Sequence, residues 1–199
     1  YHNSVSNLQK QIRITLKLAI ILCVLSPLSS LSDISKAFPD MTDIFTEIDF
    51  YNDSRRLENF NGYKDKVLLV FFGYTHCPDV CPTTVLDMAR VLKALGNDSD
   101  KVLPMFISVD HERDDYGKVR NYVDFFDKRI AALTSNKENI DKLTKLFKTK
   151  YELVNPAEPG FLVEHSSNIY ILDKSLQVRK IIPNGIPSEE ITFIVKKYL

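Results

Sequence analysis

The chain has 199 residues, with 26 Lys and Arg balanced by 26 Asp and Glu, so its formal net charge is zero. That balance lacks the basic excess of a nucleic-acid-binding surface, and no nucleic-acid partner is expected. With 44% hydrophobic and 26% charged residues the chain is long enough and apolar enough to bury a core, while six glycines leave little material for a glycine-rich phosphate loop.

The first 40 residues differ from the rest. Segment 1–17 carries Lys10, Arg13 and Lys17. Segment 18–32 is apolar and ends in small residues, with Cys23 inside it. A basic start, a short apolar run and a small-residue flank are the parts of an export signal. The apolar run from Leu18 to Leu31 is about 14 residues, short of the roughly 20 of a full span. Adding Ile12 to Leu16 lengthens it and leaves Lys17 to snorkel. An uncleaved N-terminal membrane anchor is preferred to a cleaved signal, and both to a buried amphipathic helix. Either of the first two puts the remainder outside the cytosol. Residues 33–41 read as a linker and 42–199 as one domain.

Residues 33–62 are polar and mixed, a linker or an early hairpin. Lys66–Phe72 is an unbroken apolar strand, the pattern of burial on both faces. Pro78–Leu95 reads as a helix, with Pro78 in its first turn, Val85, Met88, Ala89, Leu92 and Leu95 at helical spacing, and Gly96 as its stop. Val102–Val109 is a second strand and Tyr116–Phe126 a helix. Ile130–Leu133 is a short strand and Lys137–Lys148 a helix. Asn168–Leu172 and Gln177–Ile182 form a hairpin turning at Asp173-Lys174-Ser175. Ser188 starts the last helix. Alternating strands and helices give an α/β fold with a mostly parallel core. The terminal hairpin and helix narrow it to a thioredoxin-like fold, a central mixed sheet flanked by helices.

Cys77 and Cys81 stand where the first strand meets its helix. Positions i and i+4 share a helical face, so both sulfurs are expected to converge. A helix N-terminus is expected to lower their pKa values and supply thiolates near neutral pH. Such a pair can exchange a disulfide or hold a soft metal ion. A stapling disulfide is the weak reading, because so short a loop restrains little chain. His165, read as lying in a turn before a strand, is the candidate third group. Alone it would be a hydrogen-bonded structural residue. In a thioredoxin-like fold that loop packs against the cysteine helix, and two Cys with one His suit copper in either oxidation state.

The run Phe72-Gly73-Tyr74-Thr75-His76-Cys77-Pro78-Asp79-Val80-Cys81-Pro82 resembles the signature of the Sco/SenC family, copper proteins that help assemble cytochrome c oxidase. Ser108-Val109-Asp110-His111-Glu112-Arg113-Asp114, Val163-Glu164-His165-Ser166 and Ile186-Pro187-Ser188-Glu189-Glu190-Ile191 resemble further family segments in the same order. The resemblance covers residues 42–199. It implies Cys77, Cys81 and His165 as copper ligands, with Asp110 and Asp114 in an acidic loop around them. His76 is read as shaping the turn. The chain departs from the family at His111, where Pro is common, over Ile44–Leu57, which lacks a Gly-rich opening, and at Pro183-Asn184-Gly185.

The resemblance implies a membrane-tethered, extracytoplasmic copper metallochaperone. Its partner would be cytochrome c oxidase subunit II, with its dinuclear copper centre, and other copper carriers besides. The expected location is a bacterial inner membrane with the domain facing the periplasm, or alternatively the intermembrane-space side of a mitochondrial inner membrane. The competing activity is a thiol–disulfide oxidoreductase in which Cys77 and Cys81 are the redox pair and His165 has no task. A copper or redox sensor has no positive feature in the sequence, and no peroxidatic motif is present.

Overall fold

A computed structural model describes residues 65–154 and 162–199 continuously, together with Phe38, residues 48–51 and 57–58, and Tyr63. Two compact units divide the chain, Tyr1–Asp33 and Ile34–Leu199, and all described residues belong to the second. The basic segment, the apolar segment and, apart from Phe38, the linker lie outside the described residues. Among the described residues no helix is long and apolar enough to cross a membrane.

The elements run β1 (Phe50–Tyr51), β2 (Leu57–Glu58), β3 (Val67–Gly73), α1 (Val80–Leu95), β4 (Val102–Ser108), α2 (Tyr116–Asp124) and β5 (Ala131–Leu133). They continue with α3 (Lys137–Leu146), β6 (Tyr151–Val154), β7 (Leu162–His165), β8 (Ile169–Leu172), β9 (Val178–Ile182) and α4 (Ser188–Val195). The main sheet is ordered β5-β4-β3-β8-β9. β3, β4 and β5 are parallel, and β8 and β9 are antiparallel to their neighbours, so the sheet is mixed. β3 lies at its centre with every residue buried, as its unbroken apolar run requires. β1 with β2, and β6 with β7, form separate two-stranded antiparallel pairs.

Helices cover the sheet with the faces their spacing dictates. α1 buries Val85, Met88, Ala89, Leu92 and Leu95. α2 buries Val119 and Val123, and α3 buries Ile140 and Leu143. Asp115 and Asn136 cap α2 and α3 by accepting from the N–H of Lys118 and Asn139. Gly96 stops α1 with φ +57°. Phe72, Phe147 and Tyr170 meet edge to face, with ring centroids 5.1–6.2 Å apart. Burying one such ring fully stabilises the fold by about 1.5–3 kcal/mol.

Three local expectations are corrected. The first helix begins at Val80, not Pro78, so Cys77 precedes it and Pro82 occupies the first turn. Pro78 disfavours helical backbone at Cys77, and Pro82 is tolerated because first-turn N–H groups have no intrahelical partner. His165 is not in a turn. It ends β7, part of a hairpin whose short strands the sequence reading missed. The α2 helix ends at Asp124, two residues short of the expected Phe126.

Candidate metal centre

β3 delivers the chain to the site. After Gly73 the backbone turns, and the Cys77 N–H donates to the Tyr74 carbonyl at 3.3 Å. Cys77 is half-buried on this turn, and Cys81, second residue of α1, is fully buried; both are free thiols. The sulfurs therefore converge because a loop folds back on a helix start, not because they share a helical face. Gly73 makes room for this. A Cβ there would lie 3.0 Å from Cys81 Sγ and 2.8 Å from Phe106 Cε2.

β7 brings His165 from the other side. Its Nε2 lies 3.2 Å from Cys81 Sγ. Its Nδ1 lies 3.2 Å from the Ser166 carbonyl, which can only accept. Nδ1 therefore carries the ring proton and Nε2 presents its lone pair to the cysteines. The ring is wedged between Phe71 and Tyr74, at centroid distances of 6.0 and 5.8 Å. Burial lowers the His165 pKa below its ordinary value, against the opposing pull of the Ser166 carbonyl, so the imidazole is neutral and ready to ligate near pH 7.

Cys77, Cys81 and His165 place one ligand atom each within 4.8 Å of one another. They could hold a metal. Two sulfurs and an imidazole select a soft or borderline ion over magnesium or calcium. The expected lowering of the thiol pKa does not hold for Cys81. Burial, then its contact with Cys77, pushes that thiol far up, outweighing a hydrogen bond from the Tyr74 backbone. Desolvation inside the core is the largest influence on this thiol.

The acidic loop lies one layer out. Asp110 pairs with Arg113, and its Oδ1 accepts the Arg113 N–H at 3.2 Å. The buried Asp114 accepts from Thr75 and Ser108. His76, with its side chain 53% exposed, lies 3.7 Å from Asp114 and 3.1 Å from the Thr75 hydroxyl, outside the Cys–Cys–His group. His76, Asp110 and Asp114 also come within 4.8 Å of one another, but both carboxylates already serve protein donors. His111 lines a cavity with Arg113, Lys118 and Thr134.

Sequence reasoning missed Tyr74. It touches Cys77 and His165 and is buried to 2% exposure. An aromatic at a strand end reads as core, and only its place beside the cysteine run marks it.

The profile of the SCO1/SenC family matches residues 37–199. The chain belongs to the SCO1/SenC family. An SCO2-like protein of Rickettsia typhi is 29% identical over 195 residues, which is 94% of this chain and 96% of that one. The solved structure of Bradyrhizobium japonicum ScoI with copper bound is 32% identical with a TM-score of 0.70, covering 76% of this chain and 97% of that one. BsSco, a member of the Sco family of cytochrome c oxidase assembly proteins with an identified disulfide switch, is 25% identical with a TM-score of 0.59, covering 75% and 90%. The mixed sheet with flanking helices is thus the thioredoxin-like fold of SCO1/SenC proteins. Copper is the metal bound in solved SCO1/SenC structures, and the two-sulfur, one-imidazole group of this chain fits it.

Proposed function

We propose that this protein is a membrane-tethered, extracytoplasmic copper metallochaperone whose cargo ion is held by Cys77, Cys81 and His165. The observation that carries the reading is the 3.2 Å approach of His165 Nε2 to Cys81 Sγ, with Cys77 completing a group within 4.8 Å. Pure thiol exchange does not require a neutral imidazole aimed at a sulfur. The half-buried Cys77 sits at the loop surface, where incoming thiolates can displace it first, so the ion passes by stepwise ligand exchange.

The recipient in this reading is the dinuclear copper centre of cytochrome c oxidase subunit II, with other copper carriers as donors. Residues 18–32 serve as the anchor and 42–199 as the copper-binding domain, in a bacterial inner membrane facing the periplasm or on the intermembrane-space side of the mitochondrial one. Family membership and the naming of BsSco as an oxidase assembly protein support the assignment.

The test is copper bound per reduced full-length chain, for wild type, His165→Ala and Cys77→Ala. One ion per wild-type chain, lost in both variants, is expected. The second reading, a thiol–disulfide oxidoreductase, draws on the unequal exposure of the pair, an accessible Cys77 backed by a buried Cys81. Wild type without copper, and disulfide reduction surviving His165→Ala, would replace the chaperone by the reductase.

A further inference from the structure

The geometry points to Ser166 as a positioning residue of the metal centre: its hydroxyl takes the place of its own carbonyl in the β6–β7 ladder, and the carbonyl so released holds the His165 ring. This role deepens the copper reading and rests on it, although the hydrogen bonds stand by themselves.

β6 and β7 are antiparallel with Tyr151 opposite His165, so one step further along Lys150 stands opposite Ser166. In such a ladder a hydrogen-bonded pair exchanges two bonds, each N–H donating to the other residue's carbonyl. Half of that exchange is made. The Ser166 N–H donates to the Lys150 carbonyl at 3.0 Å. The other half is diverted, because the Lys150 N–H donates to the Ser166 hydroxyl oxygen at 3.1 Å. A serine side chain that captures a nearby backbone N–H offers the chain an alternative to regular pairing.

The diversion decides what the Ser166 carbonyl does. Its oxygen lies 3.2 Å from His165 Nδ1. A carbonyl only accepts, so it selects the tautomer with the proton on Nδ1 and leaves the Nε2 lone pair to face Cys81 Sγ, 3.2 Å away. Alanine at this position would keep the carbonyl and lose the hydroxyl. The Lys150 N–H would then turn to the carbonyl, close the regular ladder pair and draw the oxygen off the ring. The fold would lose little, because one hydrogen bond replaces another, while the imidazole would lose its anchor. Threonine would keep the hydroxyl and with it the diversion.

The test uses the reduced full chain as wild type, Ser166→Ala and Ser166→Thr. Nitrogen-15 NMR of the metal-free imidazoles reads the tautomer, with His165→Ala marking which of the four histidines gives the signal. The Nδ1–H form is expected in wild type and Ser166→Thr, and a gain of the Nε2–H form in Ser166→Ala. Copper competition is expected to show binding about tenfold weaker in Ser166→Ala, as when a group supporting a metal ligand is removed, and restored in Ser166→Thr. The metal-free melting temperature should stay near wild type in both, whereas a merely structural role would lower it and leave the tautomer unmoved. An Nε2–H tautomer in wild type overturns the proposal, whether or not the variants fold. So does a Ser166→Ala variant that keeps the wild-type tautomer, or one that binds copper as tightly as wild type. Wild type that takes up no copper would instead sink the chaperone reading, and the tautomer would still decide the role of Ser166.

Discussion

Asp114 holds Thr75 twice, accepting its backbone N–H at 2.8 Å and its hydroxyl at 2.6 Å. The Ser108 hydroxyl donates to the same carboxylate at 2.6 Å, so one buried group joins the loop after β3 to the end of β4. Asp114→Asn replaces an acceptor by a donor against three donors. Leaving buried polar groups unmatched costs about 1–3 kcal/mol, and the melting temperature should fall accordingly. Thr75 lies two residues before Cys77, so copper affinity should also fall, by about tenfold or more, as when groups supporting a ligand are removed. Calorimetry and copper titration check the two effects. Wild-type affinity in a folded Asp114→Asn variant would mean that the cysteine loop holds its shape without the carboxylate.

Gly73 shows how backbone shape and site chemistry meet. Its added Cβ would press on two buried rings, 2.8 Å from Phe106 Cε2 and 3.0 Å from Phe71 Cε1, as well as on Cys81 Sγ at 3.0 Å. Both rings are fully buried. Overpacking a close-packed core typically costs about 1–3 kcal/mol. Gly73→Ala should therefore melt earlier, and its copper uptake should weaken because the Cys81 sulfur is pushed from its place beside His165. Thermal melting and a copper competition assay would test this. A variant as stable as wild type, binding copper normally, would show that the rings and sulfur relax freely.

The long periodic elements were legible because burial writes them directly into residue order. β3 is a continuous apolar run and α1 a helical stripe, and both stand within two residues of their expected bounds. The cysteine turn was misread because Cys77 and Cys81 have helical spacing, while the backbone restriction from Pro78 decides that Cys77 stays outside the helix. The β6–β7 hairpin was missed because strands of four residues carry too few alternations to separate from loop. His165 was found from chemistry and resemblance, but its neutral, fixed ring depends on Ser166 and Phe71, which no spacing reveals. The Cys81 pKa was misjudged in sign because the helix terminus is visible in sequence and the depth of burial is not.

That sign has a consequence for metal uptake. Burial, followed by contact with Cys77, raises the Cys81 pKa above its ordinary value, so this thiol is protonated at neutral pH. The metal ligand is the thiolate, so each copper bound must displace the Cys81 proton. Apparent copper affinity should therefore rise with pH, by about tenfold per unit for one released proton, and the rise should continue past the ordinary cysteine value of about 8.5. His165 does not add to this slope near pH 7, because burial lowers its pKa and its proton is already lost there. Stability without metal runs the other way. A raised thiol pKa means the folded state holds its proton where the unfolded chain has lost it, so the metal-free protein weakens as pH climbs through and beyond the ordinary value. Copper competition titrations at several pH values above 7, with Cys81→Ser beside wild type, measure the first effect, and urea unfolding of the metal-free protein measures the second. An affinity independent of pH over that range would mean that Cys81 is already a thiolate, and that attraction from the α1 terminus outweighs its burial.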